Sequence, residues 1–151
     1  MRRVVVAFTV AALTTGACGS SHSALSKAEF VKRALVICTK SYARSNEIRS
    51  SAGSSPTIEQ VKDTFARRFV PAFRDEVDHL GALKPPKGDR KAISKMLDDL
   101  STGIDQGTTE FTSLKRVKDL SSLTLPPGLK AFSKEATAYG LGICASAGLA
   151  P

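Results

Sequence analysis

Tryptophan is absent from the 151 residues, and tyrosine and histidine occur twice each. Without tryptophan, and without an aromatic pair spaced for base stacking, the chain lacks the platform that single-strand nucleic-acid binders use. Its basic composition therefore does not point to nucleic acid. His22 and His79 make no ligand spacing with the three cysteines, and no Cys-x-x-Cys occurs, so neither a metal nor a cofactor is expected. A glycine-rich phosphate loop is missing too: Gly140 and Gly142 are too few, and they follow a helix-forming stretch instead of opening one. After Cys18 there is no alternating apolar and polar run long enough to read as a strand. Beyond Leu13 no apolar run approaches the roughly 20 residues that cross a bilayer as a helix.

What is present begins with an address. Arg2 and Arg3 precede an apolar run from Val4 to Leu13, and Thr14, Thr15, Gly16 and Ala17 lead directly to Cys18. An apolar core of about ten residues suits a secretory signal and is too short for a membrane span. Thr15-Gly16-Ala17-Cys18 looks like a bacterial lipobox, with threonine where leucine is commonest, so residues 1–17 are expected to be removed and Cys18 to become a lipidated N-terminus. An ordinary secretory signal with a cysteine near the cut is the alternative. Lipidation has a physical argument behind it, because a free exposed thiol is reactive in an oxidising compartment and a thioether is not. Residues 18–25 then form the lipidated cysteine and a polar tether, and residues 26–151 the folded domain. The location expected is the extracytoplasmic face of the cell membrane, with lipid on Cys18 as the anchor.

There are 22 basic and 14 acidic residues, a formal net charge of +8, and losing Arg2 and Arg3 with the leader leaves +6. Such an excess favours lipid headgroups, wall polymers or acidic partners. The plainer reading is that these charges are the solvated faces of helices. The 42% hydrophobic and 24% charged content are those of an ordinary globular domain.

The helical pattern starts at Ser26, which with Glu29 has the spacing of a capping box. Phe30, Val31, Ala34, Leu35, Ile37, Cys38 and Tyr42 then recur at helical spacing, predicting a helix from Lys27 to about Arg49. Ser50 to Pro56 is rich in breakers. Thr57 and Gln60 repeat the capping-box spacing, and Ile58, Val61, Phe65, Phe69, Phe73, Val77 and Leu80 mark one face of a long second helix. Pro71 lies inside it and predicts a kink or a break with restart. Lys84-Pro85-Pro86-Lys87-Gly88 must turn. A third helix is expected from about Asp89, buried through Ile93, Met96, Leu97, Leu100 and Ile104, and fraying near Gly107. Phe111, Leu114, Val117 and Leu120 suggest a short helix within 108–124. After the hinge Leu125-Pro126-Pro127-Gly128, a last helix runs from about Leu129 to Tyr139, with Gly140 placed to stop it. The fold class implied is all-α, a bundle of about four main helices with Pro/Gly-rich connections.

With Cys18 lipidated, Cys38 and Cys144 remain, an even number in an exported chain, and one disulfide is the natural reading. Redox catalysis and metal binding are the functional alternatives. A bridge closing so long a loop would contribute on the order of 4 to 5 kcal/mol through chain entropy. It requires the C-terminal tail to return across the middle of the first helix.

The lipobox, the string Phe30-Val31-Lys32-Arg33-Ala34-Leu35-Val36-Ile37-Cys38, the turn Pro85-Pro86-Lys87-Gly88-Asp89 and the ending Tyr139-Gly140-Leu141-Gly142-Ile143-Cys144 together resemble small helical lipoproteins of Gram-positive bacteria. The resemblance covers nearly all of the chain after the leader. It implies the anchor, the bundle and the Cys38 to Cys144 pairing, and it supplies no catalytic residues.

Three function classes follow. An enzyme would need an oriented base, and the domain's one imidazole is His79, among Asp75, Glu76 and Asp78. Asp75 and His79, at i and i+4, read more simply as a surface helical pair. Asp98 and Asp99 are adjacent on a helix and point apart. No enzymatic activity is expected. A binding module would open a cleft where Pro71 parts the second helix from its neighbours, with Phe65, Phe69, Phe73 and Tyr42 lining it for a small apolar ligand. Alternatively Arg67, Arg68 and Arg74 would offer an anionic ligand or wall polymer a basic surface. An interaction or structural module of the cell envelope asks least of the sequence, needing only an anchor, a tether and a rigid domain that docks an envelope protein, and it is the expectation preferred here. An internal cavity would favour ligand binding, and an exposed apolar patch of several hundred Å² a protein partner.

Overall fold

The computed structural model describes residues 24–51 and 53–146. The leader, Cys18 and the segment 19–23 lie outside the described residues. Helices α1 (Lys27–Ser50), α2 (Ile58–Thr64), α3 (Val70–Ala82), α4 (Arg90–Ser113), α5 (Pro127–Tyr139) and α6 (Gly142–Ser146) follow one another, with a π turn at Phe65–Phe69 and a 3₁₀ turn at Val117–Ser122. The fold is all-α. Four main helical units, α1, the α2–π–α3 run, α4 and α5, make the bundle, and no strand occurs among the described residues.

Local chemistry accounts for the helix ends. Ser26 Oγ accepts from the Glu29 backbone N–H, while the Glu29 carboxylate accepts from Arg33 at 2.8 Å, which holds the Glu29 carboxyl below its ordinary range. At Thr57 the capping box is complete in both directions with Gln60. Gly140 adopts φ 95°, the left-handed conformation that glycine takes without a Cβ penalty, and so ends α5.

The helical run is continuous through Pro71, the second residue of α3. The turn before it widens so that the Val70 N–H donates to the carbonyl of Phe65, five residues back. A proline ring in an α-helix collides with the carbonyl four residues earlier, and one extra residue in the turn relieves that collision. The insertion also moves the buried face. In α3 the buried residues are Ala72, Glu76 and Leu80, and Phe73 and Val77 are half-buried beside them.

Two expectations on the C-terminal half are corrected. Helix α4 does not fray at Gly107 but continues to Ser113. Thr108, Thr109 and Thr112 bond back to the carbonyls of Ile104, Asp105 and Thr108, and Phe111 stacks on Phe65, so the last turns are held by tertiary contact where propensity is poor. The short helix expected within 108–124 is instead the end of α4 followed by the 3₁₀ turn, and its supposed apolar stripe splits: Leu114 is buried and Val117 exposed.

Phe30, Ala34 and Cys38 of α1, Leu80 of α3, Ile93, Met96, Leu100 and Ile104 of α4, and Phe132 and Ala136 of α5 form the core, closed at one end by Leu141. Helices α4 and α5 touch backbone to backbone at Gly103 and Gly128, where an added Cβ would lie 2.4 Å from Leu129 N or 2.5 Å from Gly103 N. The Gly128 N–H is also held by Gln106 Oε1 at 3.1 Å. The tail returns as the sequence requires: Cys38 and Cys144 are bonded, with Cα atoms 4.9 Å apart and a sequence separation of 106. No helix among the described residues is long and apolar enough to cross a membrane.

Candidate functional site

Between the π turn, α3, α4 and α5 lies a cleft of about 390 Å³. Phe65 and Phe73 come from the proline-relieved run, Leu100, Ile104, Gly107 and Phe111 from α4, and Leu129 and Phe132 from α5; the segment Leu123 to Pro126 covers one side. The widened turn is what makes room. It rotates Phe65 onto Phe111, with ring centroids 3.8 Å apart and planes inclined by 3°, and chains Phe65 to Phe69 and Phe69 to Phe73 at 6.2 and 6.0 Å. Gly107 bears no side chain at a point where one would project toward Pro126, and this keeps the space open.

One charged residue sits deep in this apolar wall. Glu76 is 4% exposed. Its Oε2 accepts from Ser41 Oγ of α1, and its Oε1 has no hydrogen-bond partner. Burial pushes its carboxyl up from 4.5 to about 7, and the Ser41 hydrogen bond opposes that rise without cancelling it. The carboxylate also lies against the disulfide: the Cys38 and Cys144 sulfurs and a Glu76 oxygen fall within 4.8 Å of one another. As a disulfide the two sulfurs have no thiolate to offer a metal, so this trio is a packed contact and not a ligand set.

The residues expected to carry function are distributed differently. Phe65 and Phe73 line the cleft, whereas Phe69 and Tyr42 do not. Arg67 and Arg68 are exposed on the π turn. Each of the three candidate arginines is engaged separately, Arg67 with Asp63 at 2.6 Å, Arg68 with Ser51 and Arg74 with Asp105 at 2.7 Å. His79 faces solvent, its Nδ1 donating to the Asp75 carbonyl at 2.6 Å, and Asp75 also meets Arg44 across the α1–α3 groove. Asp99 accepts from Lys95, which reaches Glu135 of α5 as well, and both contacts hold the Lys95 ammonium above its ordinary range. Asp98 is exposed.

Glu76 is the residue that pattern reading missed. In the sequence it sits among the acids around His79, yet it stands four residues after Ala72 and four before Leu80, the spacing of one buried stripe. The signal was there once the π turn had shifted the phase.

No protein-family model, curated protein or solved structure matches this chain.

Proposed function

We propose that this protein is a lipid-anchored extracytoplasmic binding module, without enzymatic activity, that holds a small apolar ligand in the cleft beside its π turn. The observation that carries this reading is the cleft of about 390 Å³ walled by phenylalanine, leucine and isoleucine. That volume falls within the roughly 300 to 1,000 Å³ typical of small-molecule sites, which are likewise mainly apolar with few polar groups. An interaction module that docks an envelope protein has less support. It calls for a continuous exposed apolar patch, and the exposed large hydrophobic side chains among the described residues are Val36 and Val117, one on α1 and one on the 3₁₀ turn. The short leader ending just before Cys18 supports the anchor, and the resemblance to small Gram-positive lipoproteins belongs to the same reading.

Gly107 supplies the test. An added Cβ there meets only Pro126 Cγ, at 3.7 Å, an ordinary contact, so Gly107→Leu keeps the helix and sends its longer chain into the cleft. Native mass spectrometry of the protein extracted gently from its own membrane, unreduced and with free thiols alkylated, is expected to give the chain from Cys18 to Pro151 plus acyl groups, two hydrogens short, with an additional retained mass. In Gly107→Leu the acyl groups stay and the retained mass goes. A wild-type spectrum with no retained mass would sink the binding reading, and an unlipidated chain the anchor.

A further inference from the structure

We infer that the cleft selects a small amphiphile with an apolar, ring-sized body and a protonated amine head, and that Glu76 is the group that recognises the head. This rests on the binding-module reading and adds the ligand's class. The sign of charge is the first argument. Among the described lining residues the ionisable side chains are Glu76 and Glu110, with no lysine, arginine or histidine. A carboxylate or phosphate head would meet two acids and no cation in a medium that screens poorly, whereas an ammonium meets only opposite charge. An anionic ligand is thereby set aside for this cleft.

Geometry is the second argument. Glu76 is more than nine-tenths buried, Ser41 satisfies one of its oxygens, and the other has no partner. A half-satisfied buried carboxylate is poorly placed as a structural strut, since a buried polar atom left unmet is costly. Oε1 is closed to solvent in the empty cleft, so the head reaches it as the Glu76 side chain turns into the cleft, and an ammonium N–H then supplies the donor that Oε1 lacks, as a charge-assisted hydrogen bond. The phenylalanine rings that line the same space add faces on which a cation is favoured.

The charges around Glu76 leave it as the group that responds. From α1 it faces Ser41 and the non-titrating Cys38–Cys144 bridge, which α6 completes. From α4 it shares the cleft with Glu110; from α5 and the Leu123 to Pro126 segment no charged side chain lines the space. On the outer side of α3, Asp75 is taken by Arg44 and His79, and Arg74 by Asp105. Glu76 is protonated in the empty cleft up to about pH 7, so an ammonium must displace that proton. Amine affinity is expected to be about tenfold weaker at pH 6 than at pH 8.

The experiment compares three probes of one shape, 4-phenylbutylamine, 4-phenylbutanol and 4-phenylbutanoate. Binding is followed by calorimetry to the mature chain in nanodiscs of neutral lipid, with empty nanodiscs subtracted. At pH 8 the amine is expected to bind at least about tenfold more tightly than the alcohol, and the acid most weakly. Glu76→Gln is expected to remove the amine's advantage and its pH dependence while alcohol affinity stays within about threefold; should that variant not fold, the wild-type pH profiles of amine and alcohol decide alone. Butanoate binding as well as the amine, or an amine preference and pH profile that survive Glu76→Gln, overturns the inference. Equal binding of amine and alcohol also overturns it, yet leaves the binding module standing. If none of the three binds wild type any better than Gly107→Leu, both readings fall.

Discussion

At the scale of single residues, Glu76 links stability to the cleft. Its folded-state carboxyl is raised from 4.5 to about 7, so the folded chain holds a proton that the unfolded chain has already released between those values. The contribution of Glu76 to stability is therefore fully present below about pH 4.5 and is lost as pH rises through 7, the reverse of the usual carboxylate. A shift of this size corresponds to a loss on the order of 3 kcal/mol. Denaturant unfolding at pH 5 and pH 8 is expected to show that loss in wild type and to show it largely gone in Glu76→Gln; equal pH slopes in the two proteins would assign the effect to other groups. None of this was legible from composition, in which Glu76 looks like one surface acid among several. Burial of a charged side chain depends on which way its helix faces, and here a single proline and one extra residue decide that.

At the scale of elements, the sequence was most readable where one residue does one local job. The caps at Ser26 and Thr57, the stop at Gly140 and the turn at Pro85-Pro86 follow from side-chain chemistry within four residues and stand where expected, whereas Pro127 and Gly128 of the second diproline stretch already belong to α5. The end of α4 was not readable, because Gly107, Thr108 and Thr109 have poor helix propensity and are held by contacts from distant elements, above all the stacking of Phe111 on Phe65. The α4–α5 crossing hides in the sequence for another reason: Gly128 reads as part of a hinge, and at the crossing it and Gly103 act as spacers. At Gly128 an added methyl would press on Gly103 N at 2.5 Å and Asp99 O at 2.6 Å, rigid backbone on both counts. Gly128→Ala is expected to destabilise the domain by about 1 to 3 kcal/mol, the ordinary cost of overpacking, despite alanine's better helix propensity. A thermal melt of Gly128→Ala no lower than wild type would mean that the two helices can move apart freely and that the crossing does not set the cleft's width. Gly107→Leu is the internal control, since its Cβ meets nothing closer than 3.7 Å.

At the scale of the whole molecule, the proposed membrane attachment has two candidate agents, lipid and charge. A chain of net charge +8, or +6 without Arg2 and Arg3, is basic enough to sit on an anionic surface unaided. The arrangement of its charges argues otherwise. Arg33, Arg44, Arg67, Arg74, Lys95 and Arg116 each pair with a nearby acid, so these six cations are locally neutralised. Exposed charges of this kind are screened within about 3 Å at 1 M salt, whereas buried acyl chains contribute about 0.8 kcal/mol per CH₂ and do not depend on salt for their hold. Wild-type protein is therefore expected to remain in the membrane fraction through a wash of about 1 M salt, and Cys18→Ser to appear in the soluble fraction before any salt is added. If Cys18→Ser stays on the membrane and leaves only in high salt, the basic surface is the anchor. If it is released at once yet still binds 4-phenylbutylamine, then the lipid determines where the cleft works and the bundle determines what it holds, with no energetic coupling between the two.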